Sequence, residues 1–315
     1  MQQIQEMRKL QTQAGHKPKR WHIVVFIFPA LVVYTLFMAL PLLDSLRLST
    51  VRFDEAGQQV YAGLDNFRLL LTDPFWSARL WNAFTNNLIF FAVHMLVQNP
   101  MALLLATILT RKGLRGVPLF RTVLFAPTTL SYVIIGFVWN LMLSPLWGIL
   151  NNPAKDIGLP TPLTGLASTA LFTVSLVSVW QFIGLPMMLF TAALLTIPDE
   201  LLEAARVDGA NAWFVFWHIK FPLILPTVGV VGILTFVGNF NAFDLIYTMQ
   251  GALAGPNLST DIMGTFFYRT TFGSGGSVPN FPLGTTIATI MFLIILSGVI
   301  LYFFGIQRRL VQTEG

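Results

Sequence analysis

The stretch richest in chemical possibility runs from 197 to 222. It reads Ile197-Pro198-Asp199-Glu200-Leu201-Leu202-Glu203-Ala204-Ala205-Arg206-Val207-Asp208-Gly209, then the aromatic residues Trp213, Phe214, Phe216 and Trp217, then Ile219, Lys220, Phe221 and Pro222. Pro198 can open a helix at its first turn. Asp199, Glu200 and Glu203 then lie at the positive end of the helix dipole. Leu202, Ala205 and Val207 suggest a partly apolar, small-residue face, and Gly209 can adopt the left-handed conformation that ends a helix. A second, aromatic-rich helix follows until Pro222. Two short helices joined by a glycine, with an exposed acid, make a plug suited to a partner's groove. The same residues could also form a loop lying along a membrane surface.

A second set of residues could hold a polar solute. Thr235 and Asn239 share a helical face at four-residue spacing, while Asn239 and Asn241 point about 200° apart on a helix, so only one of them is expected to face a cavity. Gln181, Trp180, Thr128 and Tyr132 are further candidates. Amides and hydroxyls bond sugar hydroxyls, and aromatic rings stack on sugar faces. The same polar residues could equally bridge helices inside a membrane. Asp244 is expected at a gate or interface rather than in proton coupling. No catalytic residue is expected. There is no G-x-x-x-x-G-K-[ST] phosphate loop, no cysteine, no nucleophile–base set, and the four His match no metal motif. The chain should carry no cofactor, and any ATP and Mg must sit on another polypeptide.

The elements that position these residues follow from composition. Of 315 residues, 55% are hydrophobic and 10% charged, against about 25% charged in a soluble domain. Charge-free gaps at 21–43, 80–110, 122–154, 157–198, 221–243 and 270–307 each have room for one helix of about 20 apolar residues. The expectation is an all-α polytopic membrane protein with six transmembrane helices near 22–43, 83–109, 122–143, 168–195, 223–246 and 283–305. The membrane domain spans 22–307, with an N-terminal tail at 1–21 and a C-terminal tail at 308–315. Segments 44–82, 144–167 and 247–282 read as external, the first with a short amphipathic element at 63–71.

Basic residues orient the chain. With the N-terminus inside, the cytoplasmic segments hold Arg8, Lys9, Lys17, Lys19, Arg20, Arg111, Lys112, Arg115, Arg121, Arg206, Lys220, Arg308 and Arg309, which is 13 of the 19 Lys and Arg. Both termini and the 197–222 loop are then cytoplasmic. The net charge of +5 is a topology signal, and no nucleic acid is expected as a partner. The apolar run from 23 to 43 is too long for a signal-peptide core, so it reads as a retained helix.

The pattern Glu203-Ala204-Ala205, Gly209, Ile219, Phe221-Pro222, with its spacing of three, nine and one residues, resembles the signature loop of binding-protein-dependent ABC importer permeases. That family usually has Leu where Phe221 stands. The resemblance runs from about residue 22 to the C-terminus and is most similar to the carbohydrate-uptake branch of maltose and glycerol-phosphate type. Gly63-Leu64-Asp65-Asn66-Phe67, the stretch 235–247 and the Gly-Pro-containing stretch 251–256 carry it further. It implies a type I ABC importer permease fold in a bacterial inner membrane. The implied partners are a second homologous permease, a cytoplasmic ABC ATPase dimer and an extracytoplasmic solute-binding protein. Glu203, Ala204, Ala205, Asp208, Gly209, Ile219 and Pro222 would couple to the ATPase. Thr235 and Asn239 align with solute-contacting positions of maltose permeases, where one further contact position is Ala242. The implied function is import of a di- or oligosaccharide by alternating access. A glycerol phosphodiester or other polar solute is the alternative, as is a self-sufficient secondary transporter.

Overall fold

A computed structural model describes residues 21–307 except 275 and 277. The expected tails lie outside the described residues apart from Trp21, which opens the first helix. The chain divides into two compact units, the first ending at Arg47 and the second beginning at Leu48.

In the first unit, α1 (Trp21–Tyr34) continues through a π-helical turn (Thr35–Ala39) into α2 (Leu40–Leu48). The run Val25–Leu48 is long and apolar enough to cross a membrane. The expected end at 43 falls short because a charge ends the apolar run without ending the helix. Asp44 and Arg47, one turn apart at 3.6 Å, extend it into the polar zone.

The second unit opens with a departure from an all-helical chain, the antiparallel hairpin β1 (Val51–Phe53) and β2 (Gln59–Tyr61), with Arg52 opposite Val60. Asp54 Oδ1 closes its turn by accepting from the N–H groups of Ala56 and Gln58 at 3.0 and 2.8 Å. After α3 (Asp65–Thr72), α4 (Pro74–Val93) begins nine residues before the expected 83. Asp73 caps it by accepting from Phe75 and Trp76 N–H, and Pro74 sits at its first position. A π turn (His94–Gln98) joins α4 to α5 (Asn99–Leu109).

Prolines explain three of the π turns. Thr35–Ala39, His94–Gln98 and Phe216–Lys220 each end two residues before Pro41, Pro100 or Pro222. A proline lacks an N–H and crowds the carbonyl four residues back. The residue before each one bonds five residues back instead, as Leu40 N–H does to Thr35 O.

Two expected spans are broken. Helix α6 (Val117–Phe125) leads through a 3₁₀ turn (Ala126–Thr129) to α7 (Tyr132–Met142), bent by 99°. Helix α9 (Ala170–Phe182) meets α10 (Gly184–Leu195) at 44°, with the short α8 (Asn151–Asp156) between the two pairs. Then come α11 (Asp199–Val207), α12 (Ala212–Val215), the third π turn and α13 (Phe221–Phe240). The expected helix to 246 breaks at 241–243, and Asp244–Gln250 forms a separate α14. The expected external loop 247–282 contains α15 (Met263–Phe272) and leads to α16 (Phe281–Leu301). Among the described residues four helices are long and apolar enough to cross a membrane, and counting each bent pair as one span gives six candidate crossings.

One core packs α5, α10 and α13 together through Ala102, Ala106, Met187, Phe190, Ile224 and Val231. Small residues at such a contact let helices approach closely. A second core, with Phe90, Val174, Leu245, Ile246 and Ile262, backs the central cavity. A third sets α15 against α4 and α16 through Leu80, Ala83, Met263, Phe266 and Ile287. Asn87 ties these elements: its amide donates to Asn239 O at 3.0 Å, and its Oδ1 accepts from Met263 N–H at 3.1 Å. The buried Asp261–Arg269 ion pair fastens α15 to the loop before it.

Candidate functional site: a glycine elbow and a central cavity

The 197–222 segment folds as an elbow. Pro198 precedes α11, and Asp199 and Glu200 occupy its first turn. At its other end Gly209 has φ +81°. Gly209 N–H donates to Arg206 O at 3.1 Å and Ala210 N–H to Ala205 O at 2.9 Å, the double closure of a Schellman end. Asn211 then caps α12, its side chain accepting from Phe214 N–H at 2.8 Å. The turn is therefore fixed on both sides of the glycine.

Of the candidate coupling residues, Glu203, Ala204, Asp208, Gly209 and Pro222 are exposed, Ile219 is half-buried and Ala205 is buried. Leu202 packs on the first core. Val207 does not share that face; it is 87% exposed, because it lies five residues beyond Leu202 and the helix has turned it outward. Leu201, Trp213 and Phe214 are exposed with it, and Trp213 packs edge-on to Trp217 at 5.6 Å. Lys112 reaches Asp199 at 2.9 Å, joining the basic 110–121 loop to the elbow.

A cavity of about 400 Å³ lies where α4, α7, α9, α10, α13 and α14 meet. Thr235, Asn239, Asn241 and Tyr132 line it, as does Ala242. Both asparagines face it, against the expectation of only one. The helix stops at Phe240, so Asn241 is a cap residue and the helical angle no longer applies. Gln181, Trp180 and Thr128 stand off the wall. Thr128 Oγ1 donates to Gln181 O at 3.0 Å, the Gln181 amide lies 3.4 Å from Leu130 O, and Trp180 packs against Trp139.

The wall also carries His94, Gln98, Ser178 and Asp244. His94 Nδ1 lies 2.8 Å from Phe90 O and its Nε2 3.0 Å from Ser178 Oγ. The sequence reading missed His94 and Gln98, which lie four apart among several other polar residues of the same span, Asn86, Asn87 and Asn99. Ser178 gave no sequence signal. Asn99 donates to Thr235 Oγ1 at 3.1 Å, which steadies that hydroxyl. Asn239 donates to Thr235 O at 2.7 Å, yet its Oδ1 is buried with no partner among the described groups, as is Gln98 Oε1. A buried acceptor without a donor is costly. The aromatic part of the wall comprises Phe90, Phe182, Tyr132 and Phe243. Asp244 supplies negative charge, and no Lys or Arg is among the lining residues. Such a wall can bond hydroxyls and stack on rings; it is ill-suited to an anion.

Comparison with known proteins gives the family. "Binding-protein-dependent transport system inner membrane component" matches residues 98–313. The chain is similar to a probable ABC transporter permease, YurN, of Bacillus subtilis, 34% identical over 79% of this chain and 84% of the relative. It is also similar to the lactose transport system permease LacF of Rhizobium radiobacter, 30% identical over 92% and 97% of the two chains. A chain in the crystal structure of a bacterial alginate ABC transporter, bound to a pentasaccharide-loaded periplasmic protein, shares the fold. Its TM-score is 0.75 at 22% identity, covering 90% of this chain and 92% of that one. The elbow, the broken spans and the cavity therefore belong to a permease, and the chain is a member of the family of inner-membrane components of binding-protein-dependent transport systems.

Proposed function

We propose that this permease is one membrane-spanning half of an ATP-driven importer that moves a neutral di- or oligosaccharide by alternating access. The observation that carries the reading is the cavity wall: Asn239, Thr235, Asn241 and Gln98 offer amides and a hydroxyl, Tyr132, Phe182 and Phe243 offer rings, and no Lys or Arg is among its described lining residues. A relative named for lactose transport supports the same class. A glycerol phosphodiester would bring a charge that the wall does not neutralise.

ATP and Mg belong to a separate ATPase pair that grips the elbow around Glu203 and Gly209 on the cytoplasmic side, where both termini also lie. A second permease completes the cavity, and a binding protein delivers solute at the opposite face. Closure of the ATPases moves the elbow, and the elbow moves α13 through the aromatic turn at 213–221. The test is solute-stimulated ATP hydrolysis by the chain reconstituted with its genomic partners and loaded binding proteins. Stimulation by one sugar class, lost in Glu203→Ala, is the expected result. Absence of any ATPase association or stimulation would overturn the coupling of this chain to ATP hydrolysis.

A further inference from the structure

A row of rings continues from the cavity and is not needed to enclose it. Phe243, on the wall, stacks with Tyr247 at 5.0 Å and 29° between planes. Tyr268 lies 5.2 Å from Phe243 and 5.1 Å from Tyr247. Phe272 follows at 5.1 Å from Tyr268, and Phe281 at 5.9 Å from Phe272. The rings come from the break after α13, from α14, from α15 and from the first residue of α16. All four segments lie at the far end of α13 from the elbow, so the row leads toward the face opposite the ATPase side.

Packing alone does not explain the row. Helix α15 buries Met263, Phe266, Arg269 and Thr270, while Tyr268 and Phe272, four residues apart, open on another face. Exposure rises outward: Phe243, Tyr247 and Tyr268 are half-buried, while Phe272 and Phe281 are 51% and 49% exposed. A purely lipid-facing row has no use for paired phenols. Tyr247 and Tyr268 nevertheless stand edge-on at 5.1 Å, so two phenols sit side by side in the row. Rings with a polar handle at this spacing suit a pyranose, whose C–H face stacks on an aromatic ring while its hydroxyls bond at the rim.

We propose that Phe243, Tyr247, Tyr268, Phe272 and Phe281 form a saccharide-stacking track that guides an oligosaccharide from the outer face into the cavity. The proposal rests on the sugar reading above. It makes the outer rings matter more as the saccharide lengthens, because only a longer chain spans cavity and track together.

The test is equilibrium binding of maltodextrins of increasing length to the purified permease–ATPase complex, without binding protein. In Tyr268→Leu, and in Tyr268→Leu combined with Phe272→Leu, the dissociation constant should rise about threefold to tenfold per ring removed. The rise should grow with saccharide length, and Tyr268→Phe should restore most of the binding. If the leucine variants fail to assemble, Tyr247→Ala on the half-buried α14 ring gives the same comparison. Unchanged binding at every length, or an equal loss at every length with no rescue by Phe, overturns the track. Failure of the unsubstituted complex to respond to any saccharide, with binding of another solute, overturns the sugar reading and the track with it.

Discussion

Replacing Arg269 by Met should destabilise the permease more than most single substitutions. The guanidinium and the Asp261 carboxylate are 5% and 0% exposed. Arg269 grips both carboxylate oxygens, its Nη1 donating to Oδ1 at 3.1 Å, while Thr265 Oγ1 donates to the same oxygen at 2.8 Å. Burial pushes the Asp261 carboxyl up, with Arg269 and Thr265 opposing it. Met would leave Thr265 as the remaining side-chain donor to a buried charge. Removing one partner of a buried pair costs about 3–5 kcal/mol, or about 6–20 °C in thermal midpoint at ~2–4 °C per kcal/mol. The cost should shrink as pH falls. The raised carboxyl pKa favours proton uptake in the folded state, and a protonated Asp261 is no longer an unpaired charge. The assay is thermal unfolding of the purified protein across pH, with limited proteolysis of 251–258 alongside. Arg269 Nη1 also reaches Ala252 O at 3.5 Å, and that loop holds Ala254, Asn257 and Leu258 at positive φ, a strained conformation that needs an anchor. Asp261→Leu with Arg269→Met should recover most of the loss. A loss below about 1 kcal/mol in Arg269→Met, or a double variant as poor as the two singles summed, would refute the reasoning.

Three other outcomes follow from close geometry. Gly209→Val has open space for its side chain, so its cost is backbone strain of about 1–2 kcal/mol at φ +81°; transport per ATP hydrolysed should fall while membrane insertion persists, and Gly209→Asn should be milder. Gly184→Ala would place a Cβ 2.7 Å from Phe125 Cα, so a loss of about 1–3 kcal/mol should appear in thermal unfolding. Lys112→Ala removes a contact whose side chains are 65% and 56% exposed, so stability should change by less than about 1 kcal/mol.

Charge spacing marked each of the candidate crossings, the two bent pairs included, because the cost of a charge in lipid sets where spans can lie. It misplaced several ends because capping and proline geometry, not hydropathy, decide them; Asp73 starting α4 nine residues early is one case. It read 247–282 as an external segment because Asp261 and Arg269 fall between charge-free runs, and only the fold shows that these two, eight residues apart, neutralise each other. The turn of the elbow was legible because Pro198 and Gly209 carry local backbone preferences, whereas Val207 was assigned to the wrong face and the Asn211 cap emerged only from the fold. The cavity was legible in part. Thr235, Asn239, Asn241 and Tyr132 were named from residue type, but His94, Gln98 and Ser178 depend on which helices meet, and periodicity is silent on that. Gln181 and Thr128 were singled out by polarity, which does not distinguish a cavity wall from a helix repair.

That repair bears on how the chain is made. The breaks in two neighbouring spans, at 126–131 and at 183, lie against each other: Gly184 meets Phe125 backbone, Thr128 serves Gln181 O, and the Gln181 amide faces Leu130 O. Lipid offers no substitute for these partners. During synthesis, α6 and α7 are released some forty residues before Gln181 emerges, and over that interval Leu130 O lacks the Gln181 amide and the Thr128 hydroxyl lacks its Gln181 acceptor. The pair must mature as a unit, so a nascent chain stalled between Met142 and Gln181 presents an unfinished hairpin to the insertion and proteolysis machinery.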